Sequence, residues 1–246
     1  MNSRALVDKN SRFYDAFWTQ TYLTRPERFN TWPLISALLP TSPRRLEIGP
    51  GLHPRLPVAG THFLDLSPPV VARLNANNGG LARTGEITAL PYGNESFDLV
   101  TAFDVIEHVE DDEQVFRELT RVLKPEGCLI FSVPLHPAYW TVFDDYVGHA
   151  RRYEPIGLQA LLDGHGLVVE KSAVFGMQSN NPRLLHYAVQ GLIQHPVAAL
   201  RCYNWLFFPI GLLFQQSLKF SEGLMDLNKV HEVLLVCRKA DAASRH

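Results

Sequence analysis

The sequence predicts an open α/β domain built on a mostly parallel sheet, and three observations carry that prediction. Leu46 and Ile48 form a short apolar strand that Gly49-Pro50-Gly51 stops abruptly. Phe97–Ala102 is a near-continuous apolar run, as a strand buried on both faces requires. Candidate strands alternate with candidate helices at intervals that suit right-handed crossovers.

Taken in order, residues 11–39 read as helical, with Phe13, Phe17, Trp18, Leu23, Trp32, Ile35, Leu38 and Leu39 as apolar positions. They are either a pair of packing helices or a cap over a pocket, with Tyr14 or Trp18 touching ligand. Pro40-Thr41-Ser42-Pro43 links them to the first strand.

Glycines after that strand let backbone approach a ligand with no Cβ in the way. In open α/β sheets such a turn builds a nucleotide pocket at the carboxyl edge. A dinucleotide fingerprint needs a third glycine opening a helix, but Pro54 stands there and Pro57 follows. Irregular chain is therefore expected over 52–60, with neither a helix dipole nor a P-loop lysine for phosphate. Glu47 would repel pyrophosphate and attract an ammonium or sulfonium. The pocket suits a nucleoside that carries positive charge.

Thr61–Leu66 reads as a second strand ending at Asp65, with Ser67 as N-cap and Pro68 at the first helical position. Val70, Val71 and Leu74 give that helix its inner face. An acid at this strand end is placed to accept both ribose hydroxyls; the plainer reading is a turn aspartate. Leu81–Gly85 is a short edge strand. Asp111 and Gln114 can form a capping box for a helix with Val115, Phe116, Leu119, Val122 and Leu123 on one face. Pro125-Glu126-Gly127 stops that helix, and Cys128–Val133 is the fifth strand.

Six segments together resemble the class I S-adenosylmethionine-dependent methyltransferases of the methyltransferase type 11 group. They are Leu-Glu-Ile-Gly-Pro-Gly (46–51), Phe-Leu-Asp-Leu-Ser (63–67), Gly-Glu-Ile-Thr-Ala-Leu-Pro-Tyr (85–92), Ser-Phe-Asp-Leu-Val (96–100), Val-Ile-Glu-His-Val (105–109) and Arg-Glu-Leu-Thr-Arg-Val-Leu-Lys-Pro-Glu-Gly (117–127). The resemblance implies a Rossmann-like sheet of seven strands with an antiparallel last strand, Leu167–Val174 and Glu232–Arg238 supplying the sixth and seventh. It implies S-adenosylmethionine as cofactor. Glu47 would then meet the methionyl amino group, Gly49 and Gly51 would line the methionine, Asp65 with Leu66 would hold the ribose, Glu86 and Ile87 would read adenine, and Asp104 would face the methionine tail. Where many members have a third glycine, this chain has His53.

In this fold the segment after the fifth strand leaves the same sheet edge as the cofactor pocket. His136 and His149 are the candidate bases there, each weighed against an ordinary loop hydrogen-bonder. Tyr139, Trp140, Arg152 and Tyr153 are candidate acceptor contacts. Arg151-Arg152 is alternatively a pair salt-bridged to Asp144 or Asp145. Asp104, Glu107 and His108 resemble the ligand arrangement of metal-assisted quinone O-methyltransferases, but the expectation here is no metal.

At 246 residues the chain is expected to be one domain: a helical cap (1–40), a cofactor-binding core (41–175), an apolar insertion (176–230) and a last strand (231–240). The insertion holds Leu184, Tyr187, Leu192, Leu200, Trp205, Phe207, Phe208 and Phe214. It reads as a lid over a hydrophobic or aromatic acceptor, a dimer interface, or a surface making peripheral membrane contact. A net charge of −2 excludes a general nucleic-acid binder. Cys128, Cys202 and Cys237 show no metal or redox spacing and are expected to be reduced, and the N-terminal stretch has no signal-peptide core. These features point to a cytoplasmic monomer or homodimer. The expected function is methyl transfer to a small molecule, oxygen favoured over nitrogen or carbon. The alternative is a protein that binds the cofactor without turnover, as partner or sensor.

Overall fold

The computed structural model describes residues 17–18, 21–77, 79–176 and 182–240. Their centre is a sheet in the order β3-β2-β1-β4-β5-β8-β6-β7. The strands are β1 (Arg45–Ile48), β2 (Thr61–Asp65), β3 (Leu81–Thr84), β4 (Phe97–Phe103), β5 (Leu123–Pro134), β6 (Leu167–Val174), β7 (Ser221–Glu222) and β8 (Glu232–Lys239). β1 to β5 run parallel, and β8 lies antiparallel between β5 and β6. The expected sixth and seventh strands are β6 and β8. The sheet has one strand more than expected, because Ser221–Glu222 adds a two-residue edge to β6.

The helices are α1 (Trp32–Leu38), α2 (Pro68–Asn75), α3 (Asp112–Val122), α4 (Val142–Val147), α5 (Pro155–Gly164), α6 (Pro182–Gln194), α7 (Pro196–Cys202) and α8 (Phe208–Phe214). α3 buries Val115, Phe116, Leu119 and Val122 against β4 and β5, as its apolar spacing required. Its cap is half of the expected box. Asp111 Oδ1 accepts from the Gln114 amide at 2.9 Å, but the Gln114 side chain donates to the Thr88 carbonyl instead.

The N-terminal stretch departs from the expected helices. Only 17–18, a 3-10 turn at Pro26–Arg28, α1 and a second 3-10 turn at Leu39–Thr41 are helical among the described residues. Pro26, Pro33 and Pro40 each sit near the start of such a turn, where a missing N–H costs nothing, and they forbid one continuous helix. Phe13 and Tyr14 lie outside the described residues.

The insertion is helical. α7 and α8 are joined by a π turn at Tyr203–Phe207, making one long helix. Its buried positions, Leu200, Asn204, Phe208 and Leu212, are spaced by four. Four residues overshoot a 3.6-residue turn, and the wider π turn offsets that drift. One stripe therefore stays on the domain while the rest of the circumference is exposed.

Candidate active site

β1 ends at Gly49 and Gly51, both with positive φ (63° and 53°). The Gly49 amide donates to the Leu64 carbonyl at 2.8 Å, closing the turn against β2. Side chains are excluded here by contact as well as by φ. A Cβ on Gly49 would meet Val105 at 2.6 Å, and one on Gly51 would meet the Trp18 ring at 1.9 Å. Trp18 thus packs against the turn and lines the cavity.

Irregular chain follows the turn, as Pro54 and Pro57 dictate. Glu47 organises it. Its Oε1 accepts from the Arg55 amide and its Oε2 from the Leu56 amide, both at 2.8 Å. The carboxyl is buried, and burial pushes its pKa up to about 7 although the two amides work the other way. Glu47 lines the cavity and, through these two amides, also fixes the loop that stands where a helix would be. That loop delivers Arg55, which sequence reasoning missed. The Arg55 guanidinium lies 3.7 Å from the centre of the Phe29 ring and faces the cavity, with Asp104, Glu47 and Glu232 as its charged surroundings. Among the described residues it donates no hydrogen bond. Five idle donors on a planar cation form a ready receptor for a carboxylate.

Asp65 closes β2. Its Oδ2 accepts from the Gly51 amide at 3.0 Å and its Oδ1 from the Ser67 amide at 2.9 Å, which fixes the carboxylate at the cavity wall. Leu66, Ile87, Gly49 and Asp104 also line the cavity; Glu86 is exposed outside it. Asp104 has φ +54° and exchanges hydrogen bonds with Ser132 at 2.9 and 2.6 Å. This holds a non-glycine residue in the left-handed region at the end of β4.

The sharpest cluster forms where the β4 turn meets the α4 loop. The Ala150 amide donates to the Glu107 carbonyl at 2.7 Å, and the His108 and Gly148 segments meet through His108 Nδ1 and the Gly148 carbonyl at 3.2 Å. Asp144 is fully buried and accepts from Thr141 N and Oγ1, from Arg152 Nε and Nη2, and from His149 Nδ1. Burial works against its charge, yet the bonds from His149, Arg152 and Thr141 outweigh it and hold the carboxyl well below its usual range. An ionised carboxylate only accepts, so the His149 proton sits on Nδ1 and Nε2 is turned toward Glu107, 3.8 Å away. Glu107 is buried, its Oε2 has no partner among the described residues, and burial beside Asp104 raises its pKa well above the usual carboxylate range. Burial lowers His108 to about 3, so its ring is neutral.

Of the predicted acceptor-side residues, His149 lines the cavity and His136, Tyr139, Trp140, Arg152 and Tyr153 do not. His136 Nε2 is bonded to the Leu227 carbonyl at 2.9 Å, Tyr139 stacks on His231, and Trp140 Nε1 donates to Asp145. Arg152 is the salt-bridged partner of Asp144, the second of the two options its sequence left open. Tyr153 is buried on the core cluster. Glu232, at the start of β8, was missed. It lines the cavity with Oε1 unpartnered among the described residues, and burial next to Asp104 raises its pKa strongly. Glu107, His108 and His149 each offer one donor atom within 4.8 Å of the others, so His149 takes the place that the sequence suggested for Asp104 in a metal-type trio.

All of this opens on one cavity of about 1470 Å³. Single-ligand sites span roughly 300–1,000 Å³, so it has room for two ligands side by side. Its wall includes Gly49, Asp65 and Ile87, the cluster of Asp104, Glu107 and His149, and apolar side chains of the insertion, Leu192, Tyr203 and Phe207 among them.

Residues 47–131 match the family described as "Methyltransferase domain". A malonyl-[acyl-carrier protein] O-methyltransferase of Halorhodospira halophila is 35% identical over 86 residues, 33% of this chain and 29% of that protein. A demethylmenaquinone methyltransferase of Lactobacillus johnsonii is 34% identical over 87 residues, 34% of this chain and 36% of the relative. The matched stretch thus spans about a third of these relatives. Among solved structures, a SAM-dependent methyltransferase of Thermotoga maritima superposes with a TM-score of 0.55 at 18% identity, covering 87% of this chain and 89% of its own. The [4+2]-cyclase SpnF superposes at 0.54 and 19% identity, covering 85% and 80%.

Proposed function

We propose that this chain transfers a methyl group from S-adenosylmethionine to a small apolar or aromatic acceptor, at oxygen; the match of residues 47–131 to the methyltransferase-domain family supports the reading. The His149 ring, bonded to buried Asp144 and lining the same cavity as Gly49 and Asp65, is the observation that carries this reading. The bound cofactor supplies an electrophilic sulfonium methyl. Asp65 accepts the ribose diol, Gly49 and Gly51 let the methionine lie against backbone, Ile87 packs on the adenine, and Arg55 takes the methionine carboxylate. Asp104 and the raised-pKa carboxyls of Glu107 and Glu232 line the reacting end.

His149 Nε2 takes the proton of an acceptor hydroxyl as its oxygen attacks. Asp144 steadies the imidazolium that results, and Arg152 holds Asp144. General-base help of this kind contributes roughly 10²–10⁴-fold. Alignment of acceptor and methyl in a closed site contributes about 7 kcal/mol or more. The insertion, 176–230, roofs the acceptor end and makes the whole chain one functional unit. Apolar side chains on that roof favour an apolar acceptor over a peptide or nucleic acid.

The test is incubation of the purified protein with tritiated S-adenosylmethionine and a small-molecule extract. An organic-soluble labelled product is expected. Tight adenosylhomocysteine binding with no labelled product favours the second reading, a protein that binds the cofactor without methyl transfer. A cyclase on a similar fold makes that reading concrete, because fold alone does not dictate the reaction.

A further inference from the structure

The long helix of the insertion leaves a large apolar surface that the cavity does not use. Trp205, Leu206, Ile210 and Leu213 are 62, 50, 42 and 77% exposed and do not line the cavity. Phe207 and Phe214, 60 and 79% exposed, do line it, so the cavity wall and this face share side chains. A contiguous apolar patch of this kind marks a surface that meets something.

Charge identifies what it meets. Residues 171–221 contain no Asp or Glu, whereas they contain Lys171, Arg183, Arg201 and Lys219. Arg201 is exposed on the helix itself, and Arg183 and Lys219 are exposed in the segments before and after it, in a chain whose net charge is −2. A cationic apolar surface with Trp205, Tyr187 and Tyr203 among its residues matches the interfacial layer of an anionic bilayer, where indole and phenol rings favour the headgroup level. A second copy of the chain would bring like charge against like.

Pro196–Phe214 is long and apolar enough to span a membrane. Its buried stripe decides against that orientation. Phe208 stacks on His53 with ring centres 4.1 Å apart, Asn204 is fully buried at mid-helix, and Gln215 Oε1 accepts from the Asn30 amide at 2.8 Å. A helix held along its length by the domain lies in the interface plane.

We infer that the α7–α8 helix docks the protein flat on an anionic lipid surface, with the cavity mouth facing the acyl chains. An acceptor dissolved in the bilayer then enters without crossing water. The docking itself does not rest on the proposed methyl transfer, so the two fail separately.

Flotation of the full chain with phosphatidylcholine vesicles, with and without phosphatidylglycerol, tests it. Co-flotation is expected with phosphatidylglycerol present and should weaken as salt rises. Leu213→Asp should reduce it by roughly tenfold or more, and Arg201→Glu should reduce it by a smaller factor. Both variants should keep the thermal melt and adenosylhomocysteine affinity of the parent. Leu213→Met controls for loss of fold and should float like the parent. Absence of flotation with either lipid overturns the inference. So does sedimentation showing a dimer that Leu213→Asp dissociates, which would give this face to a second copy.

Discussion

His149 Nδ1 stands 2.8 Å from Asp144 Oδ1, and the ring donates to the carboxylate. Arg152 clamps the same carboxylate through Nε and Nη2 at 2.8 and 2.9 Å. The ring is fixed in the tautomer that leaves Nε2 as a base. His149→Gln should therefore lower kcat by roughly 10²–10⁴-fold and leave adenosylhomocysteine affinity unchanged. Initial rates beside calorimetry check this; an unchanged kcat removes His149 from the chemistry. Asp144→Asn is a poorer probe, because stranding buried Arg152 destabilises the fold by about 3–5 kcal/mol.

Arg55 should discriminate ligands by their carboxylate. Arg55→Met is expected to weaken adenosylhomocysteine by roughly 10- to 100-fold, the value of a hydrogen-bonded charge. Its decarboxylated analogue should bind parent and variant alike. Equal losses for both ligands would assign Arg55 to loop packing instead.

Glu47 makes stability depend on pH in an unusual direction for an acid. Its pKa is about 7 in the fold and 4.5 as a free side chain. Between those values the folded protein holds a proton that the unfolded chain has released. Its contribution is complete below about 4.5 and is lost as pH rises through 7, a change of about 3 kcal/mol. Unfolding free energies of parent minus Glu47→Gln, measured in urea from acid to neutral pH, should fall over that window and flatten above it. A flat difference throughout would mean that the loop amides keep the carboxylate ionised.

The trio of Glu107, His108 and His149 gives a check on the proposed base. If His149 works as a free imidazole, a chelator should leave turnover unchanged. Added Zn²⁺ should inhibit, because it takes the Nε2 lone pair. Loss of turnover on chelation, restored by a divalent ion, would instead make the trio a working metal centre.

Local chemistry made much of this legible. The β1 turn, the Pro-broken loop after it, the Asp65 strand end and the α3 face each follow from residues within a few positions of one another. Hydrophobic period, proline and glycine act at that range. Less legible was a side chain whose partner is far off in sequence. His136 is bonded to the Leu227 carbonyl 91 residues away and does not line the cavity.

The sequence by itself determined an α/β sheet with a glycine-opened pocket at its carboxyl edge, because periodicity and turn chemistry are written within single segments. Only the tertiary structure decided which charged groups share that pocket. Arg55, the Asp104–Glu107 turn, His149 and Glu232 come from four separate stretches of the chain. Their meeting depends on strand order and loop packing, which no local pattern encodes. The same packing chose the side of the insertion that is buried, and so the side left for a partner.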